Sequence, residues 1–299
     1  MSFISGFKKI VPVSVKNFIK YKPWMDDEKY LKNLFKKNMG KELNTKTPRT
    51  FSEKLQWIKL HDRNPEYTRM VDKYEAKKYI AEKIGTDYLI PTLGVWDNFN
   101  EINFNELPNS FVIKTTHDSG GIVICADKND LDIKRTKEIV NKSLKTDYWI
   151  TRREWAYKNV KPRIIAETYI GKDLRDYRFY CFAGEPKFIY VYTNKSHAPI
   201  EKPEPAYCDI FDINWNLMPF HQNSLNSGLD IDKPSNFHKM IEIAKTLSSN
   251  IPFLRVDFYE VNNKLYIGEL TLYPGAGFAK FHPDSYDKEF GDLVPLKQN

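Results

Sequence analysis

Leu254-Arg255-Val256-Asp257-Phe258-Tyr259-Glu260-Val261, followed after Asn262-Asn263 by Lys264-Leu265-Tyr266-Ile267-Gly268-Glu269-Leu270-Thr271, reads as two strands joined by a tight turn. The register follows from sorting side chains. With Asn262, Asn263 and Lys264 as a three-residue loop, Asp257 stands opposite Glu269, Arg255 opposite Thr271 and Tyr259 opposite Ile267, while Val256 meets Leu270 and Phe258 meets Gly268. One face then gathers Arg, Asp, Glu and Thr, and the other gathers apolar groups for a core; a one-residue slip scatters both sets. Facing carboxylates repel unless a cation lies between them, and hard oxygen ligands on a rigid sheet suit Mg2+. On this reading, exchanging either acid for its amide relieves repulsion and leaves the fold intact. A surface hairpin with an ordinary ion pair is the competing reading.

Outward from the hairpin, helical and strand periodicities mix without regular βαβ alternation, which predicts an α+β architecture with antiparallel sheets. Helical spacing recurs in 30–35 and 51–60, then from the N-cap Asp72 to Ile84, in 131–144 and in 236–249. Extended runs are expected at 89–96, 110–115, 122–126, 163–170, 176–182 and 186–192, with 193–234 irregular. The expected organisation is an N-terminal helical appendage, 1–65, and a catalytic region, 66–299, divided at 66–109, 110–170 and 171–299.

Two further stretches carry chemistry. Phe111-Val112-Ile113-Lys114 ends an apolar strand on a lysine, which asks for an anion; Thr116-His117-Asp118-Ser119-Gly120-Gly121 follows as a small lid whose backbone N–H groups can approach a phosphate. A snorkelling lysine beside an ordinary turn explains the same residues, and the spacing is not that of a P-loop. Ile164-Ile165-Ala166-Glu167-Thr168-Tyr169-Ile170-Gly171-Lys172-Asp173 is an apolar strand entering an acidic turn.

The chain has 299 residues, with 46 Lys and Arg against 39 Asp and Glu and a net charge of +7. This balance favours a polyanionic partner without naming it. Three widely spaced cysteines, Cys125, Cys181 and Cys208, suit free thiols in a reducing compartment, so the cytoplasm is expected. No apolar run reaches membrane-spanning length. The opening 1–22 mixes Phe and Ile with lysines and leaves two readings open: a short helix packed on the body, or contact with the inner membrane surface.

These three stretches, with Thr47 to Trp57, Val71-Asp72-Lys73-Tyr74, Arg163 to Glu167, Asp176 to Phe182 and Pro274-Gly275, resemble the teichuronopeptide-biosynthesis, TupA-like branch of the ATP-grasp superfamily over most of the chain. The resemblance implies an ATP-grasp fold: two α+β lobes clamping ATP. Lys73 and Lys114 would meet the phosphates beside His117, Ser119 and Gly120. Glu167, Tyr169 and Ile170 would lie at the adenine and Asp173 at the ribose. Asp257 and Glu269 would hold Mg2+; Thr271 stands where many relatives have an asparagine ligand, and Asp118 where glycine is expected. Arg255 would stabilise the transferring phosphoryl group, its planar fork matching phosphate oxygens, and Arg178 would meet the substrate carboxylate or else pair with Asp176 or Glu185.

The implied activity joins a carboxylate-bearing sugar or polysaccharide precursor to an amine or amino acid, as an amide. A kinase acting on a hydroxyl through the same site stays open. A glycosyltransferase built on Asp230-Ile231-Asp232 lacks the apolar strand such a site needs, and no motif supports nucleic-acid binding.

Overall fold

The structure is a computed structural model that describes residues 20–172, 174–193 and 207–296. The opening segment up to residue 19, Asp173 and the loop 194–206, whose residues 195–205 are an expected acceptor loop, lie outside the described residues. Among the described residues α1 (Asp27–Met39) and α2 (Phe51–His61) precede α3 (Glu66–Val71) and α4 (Glu75–Ile84). Thr50 caps α2: its hydroxyl accepts from Glu53 N at 3.3 Å while the Glu53 carboxylate accepts from Thr50 N at 3.1 Å. The expected N-cap of α4 shifts. Asp72 instead takes the backbone N–H groups of Tyr74 and Glu75 in the turn before the helix, and its other oxygen binds Arg163 at 2.8 Å.

A four-stranded antiparallel sheet follows, ordered β1-β4-β2-β3, from β1 (Thr92–Trp96), β2 (Phe111–Thr115), β3 (Val123–Cys125) and β4 (Ile164–Thr168). Its two faces divide as the pleat dictates. Phe111, Ile113, Ile164 and Ala166 pack with Val140 of α5 (Ile133–Leu144), whereas Val112 and Lys114, with their partners Glu167 and Ile165, face the other way.

The second sheet is ordered β7-β6-β5-β8-β9, from β5 (Asp176–Phe182), β6 (Glu185–Thr193), β7 (Tyr207–Asp212), β8 (Phe253–Val261) and β9 (Lys264–Thr271). The edge strand β7 lies inside the stretch read as irregular, which is a correction to the sequence reading. One face of this sheet packs on the helix Phe237–Ser248 through contacts such as Phe179 with Phe237, ring centroids 5.9 Å apart. The opposite face is graded along its strands. At one end Phe182 and Phe253 are covered by Phe51 of α2 and by Phe290 of the last helix, Ser285–Leu293. Gly291 permits that cover, since a Cβ there would stand 2.2 Å from the Arg49 carbonyl oxygen. The other end, where the charged residues lie, is left uncovered by these helices.

The last hairpin corrects the expected register in one detail. Its loop has two residues, Asn262 and Asn263, both in the left-handed region (φ 50° and 64°), so Val261 pairs with Lys264, Tyr259 with Tyr266 and Phe258 with Ile267. A bulge at Gly268 then restores the offset, so Asp257 stands opposite Glu269, Val256 opposite Leu270 and Arg255 opposite Thr271 as expected. Only glycine fits the bulge: a Cβ on Gly268 would stand 2.6 Å from the Tyr259 ring.

Phe51 touches Phe182, Phe253, Phe281 and Phe290 and is nearly inaccessible. Phe51→Ala should therefore cost about 3–5 kcal/mol in urea denaturation, the range for a large buried aromatic. A shift of the midpoint no larger than that of an exposed substitution would show that α2 does not share the core of the large sheet.

Candidate functional site

The sheets enclose a cleft of about 250 Å3. The small sheet contributes Val112, Lys114, Ile124 and Glu167 to its wall, β9 contributes Ile267 to Leu270, and the segment Thr168 to Gly171 runs along it. Three residues before β1, Leu89 makes an isolated parallel bridge to Ile267 of β9, in which Ile267 N donates to Tyr88 O at 2.8 Å. Of the expected nucleotide-site residues, Lys73, Lys114, Glu167, Tyr169 and Ile170 line this cleft, together with Glu269.

Two of these, Lys114 and Glu167, form one network with Lys77, a cleft residue that sequence reading missed. Lys114 and Lys77 each place Nζ 2.5 Å from a different oxygen of Glu167. Burial alone would raise the Glu167 pKa, but the two ammonium groups outweigh it and hold the carboxyl below its ordinary value. Lys73 donates to the carbonyl oxygens of Thr115 and Asp118, and burial pushes its pKa down. Lys77 lies one helical turn after Lys73; that spacing was available as a signal.

The lid residues divide. Ser119 and Gly120 are exposed at its tip, outside the cleft wall. His117 is buried, and its Nε2 lies 3.2 Å from the Thr146 carbonyl oxygen, which can only accept, so Nε2 carries the proton and Nδ1 is left without a partner. Asp118 turns inward: its carboxylate accepts from the hydroxyls of Thr115 and Ser143, which removes the conflict between an acid in the lid and an anionic ligand.

On the uncovered end of the large sheet a row crosses three strands: Arg178 of β5, Asp257 of β8 and Glu269 of β9 stand in register. Asp257 and Glu269 thus share a face, and the cation between them is built in. Arg255 donates through Nε and Nη2 to the two oxygens of Asp257, 2.6 Å each, and its Nη2 is 3.6 Å from Glu269. Arg178 binds Asp176 at 2.9 and 3.0 Å and lies 3.7 Å from Asp257, while its guanidinium sits 4.3 Å over the Tyr192 ring. Asp176, another cleft residue, is a carboxylate that sequence reading set only as a partner of Arg178. Burial pushes the Asp257 carboxyl up to about 6 against the pull of Arg255 and Arg178.

These groups fit a hard cation. Among the described residues no three His, Cys, Asp or Glu side chains surround a common point. Two carboxylates do share the face with the Thr271 hydroxyl, buried and without a hydrogen-bond partner, and such a sparse oxygen set suits a metal that keeps several waters and takes phosphate oxygens, as Mg2+ does.

A second buried group lies beneath the turn that follows β9. Lys59 of α2 donates to Gln56 Oε1, Arg152 O and Ala276 O at 3.0, 3.1 and 2.7 Å, and Gln56 donates to the carbonyls of Ala276 and Gly277. The turn needs holding, because Gly275, Ala276 and Gly277 all have positive φ. Burial pushes Lys59 down to about 7 and Glu154 up to about 7, each opposed by the charge of the other.

Two expectations follow. Asp257→Asn strands the buried Arg255 without its anion and should lower stability by about 3–5 kcal/mol, reversing the sequence-based expectation, whereas Glu269→Gln, at a half-exposed side chain, should stay within about 0.5 kcal/mol. Equal thermal unfolding of the two variants would contradict this. The Glu154 pKa is raised from 4.5, so its stabilising contribution is complete below that value and is lost as pH rises through about 7. Glu154→Gln should therefore gain stability relative to the parent between about pH 5 and about pH 7.5, read from urea midpoints; an unchanged difference would refute the shift.

Solved structures of similar fold are ligases by their names. An L-amino acid ligase from Bacillus licheniformis is 12% identical, matching 92% of this chain and 64% of its own at a TM-score of 0.50. D-alanine–D-alanine ligases from Helicobacter pylori (15% identity, 82% and 69% coverage, TM-score 0.43) and from Bacillus anthracis, the latter complexed with ATP (14%, 75% and 63%, 0.41), are more distant in shape. The chain spans about two thirds of the length of these structures, and at such identity the likeness shows the fold alone. No curated protein matches the sequence significantly. The profile of one family matches residues 53–295, from the first turn of α2 to beyond the last helix and across the whole cleft, so the chain belongs to the TupA-like ATPgrasp family.

Proposed function

We propose that the chain is an ATP-dependent ligase that joins a carboxylate to an amine through an acyl phosphate, acting on a cell-surface polysaccharide or its precursor. The observation that carries this reading is the register that sets Asp257 beside Glu269, which lines the same cleft as Lys114. In this reading the adenine lies between Val112, Ile124 and Leu270, with the backbone of Glu167 to Ile170 at its edge. Lys73 and Lys114 neutralise the phosphates, and Lys77 holds Glu167 in place. Asp257, Glu269 and the Thr271 hydroxyl hold Mg2+, which supplies charge neutralisation at the phosphoryl group when bound.

A carboxylate is a poor electrophile because amide formation would have to expel oxide or hydroxide. Transfer of the γ-phosphoryl group to one of its oxygens provides a phosphate leaving group, and the amine then attacks the carbonyl carbon. Arg255 and Arg178 orient the two anions, so positioning and electrostatics account for the acceleration and no nucleophilic side chain is required. The sugar partner rests on the family resemblance. The three cysteines are buried, which suits a reducing compartment and action at the cytoplasmic face of the membrane; among the described residues no helix is long and apolar enough to cross one. Asp230 and Asp232, the acids of the glycosyltransferase reading, are exposed in an irregular loop away from the cleft.

With hydroxylamine in place of the amine and a panel of uronic and other carboxylates, the expected products are ADP, phosphate and a hydroxamate. AMP with pyrophosphate would indicate an adenylating enzyme. A phosphorylated hydroxyl without hydroxamate would indicate a kinase, and thermal stabilisation by a uridine-diphosphate sugar but not by Mg·ATP a glycosyltransferase.

A further inference from the structure

On the charged face of the large sheet, Asp257 is already paired. Both oxygens of Asp257 are engaged by the fork of Arg255 at 2.6 Å, and Arg178 approaches one of them at 3.7 Å. A cation that chelates this carboxylate must displace the fork, and one bound at a remaining lone pair stands against the charge of the guanidinium. Arg255 and Asp257 are two residues apart on one strand and one face, so a change of side-chain rotamer parts them without moving the sheet. Arg255 is almost wholly buried, and a buried guanidinium stripped of its anion needs another.

The sign of the whole face matters as well. Asp176, Asp257 and Glu269 outnumber Arg178 and Arg255, so the face carries a net negative charge and repels an incoming carboxylate. A divalent cation reverses that sign. The Thr271 hydroxyl, opposite Arg255 and without a partner, is a ligand already in place.

We propose that Arg255 is the resident counter-ion of the metal site: it occupies Asp257 until a divalent cation takes that carboxylate, and only then turns to bind the anionic group of the second substrate. This rests on the ligase reading and adds an order to it, with the metal nucleotide preceding the carboxylate. By linkage the coupling is reciprocal, so an anion on Arg255 tightens the metal by the same factor as the metal tightens the anion.

The test uses Mn2+ alone, titrated into the nucleotide-free chain and followed by the paramagnetic resonance of the free ion. Arg255→Met should bind Mn2+ at least about tenfold more tightly than the parent, since a doubly charge-assisted competitor is gone. Arg255→Lys keeps the charge but not the fork and should still tighten binding by about threefold, which separates occupancy of Asp257 from simple charge removal. This variant also carries the test alone should Arg255→Met not fold. Inorganic phosphate binding to the Mg·ADP complex should move the opposite way, weakening in both variants. Unchanged or weaker Mn2+ binding in folded Arg255→Lys would overturn the proposal while leaving the ligase reading intact. Failure of the parent chain to bind Mg·ADP at all would remove the ligase reading itself.

Discussion

Like charges on neighbouring strands can be held side by side only where a cation is built in with them, and the bidentate pair of Arg255 with Asp257 supplies it here. Glu269 of β9 comes within 3.6 Å of this guanidinium because β8 and β9 keep one register at their charged end. That register is not the one the turn alone would impose. Two asparagines close a tight loop, and the extra residue at Gly268 shifts β9 by one position, returning Glu269 and Thr271 to the face of Asp257 and Arg255. Without the bulge, the apolar residues of the hairpin's turn end and the charged residues at its base could not both find their proper faces.

The two helices that cover this sheet do so unevenly, and the unevenness makes the site. Phe51 and Phe290 close the aromatic end, while from the charged end Asp176 and Glu269 reach the cleft. From the same helix as Phe51, Gln56 and Lys59 reach the turn after β9, so a segment whose sequence reads as a helical preamble supports the backbone leaving that strand.

Much of this was legible in the sequence because the relevant patterns are local. Period-two alternation located the last hairpin and gathered Asp257, Glu269, Arg255 and Thr271 on one face; Lys114 at the end of an apolar strand announced an anionic neighbour, which proved to be Glu167. What stayed hidden depended on distance or on compensation. A two-residue loop plus a bulge gives the same offset as a three-residue loop, so the sequence pattern could not distinguish them. The edge strand Tyr207–Asp212 lies in a polar stretch and owes its conformation to pairing with β6. Lys77 and Asp176 enter the cleft only once helix and sheets are assembled, and Asp118 could be cleared of conflict only by seeing its carboxylate turned toward Thr115 and Ser143.

The bridge between Leu89 and Ile267 has a mechanical consequence. It ties the segment leading into β1 to β9 of the large sheet at one margin of the cleft. Two stiff plates fastened along one margin change their separation chiefly by swinging about it, so a point on the small sheet moves in proportion to its distance from residues 88–90. β4 and Glu167, near the axis, travel little, and β3 with Ile122 and Ile124, at the far margin, travels most. The fold therefore grades its own stiffness, with the least motion at the floor of the cleft and the most at its rim.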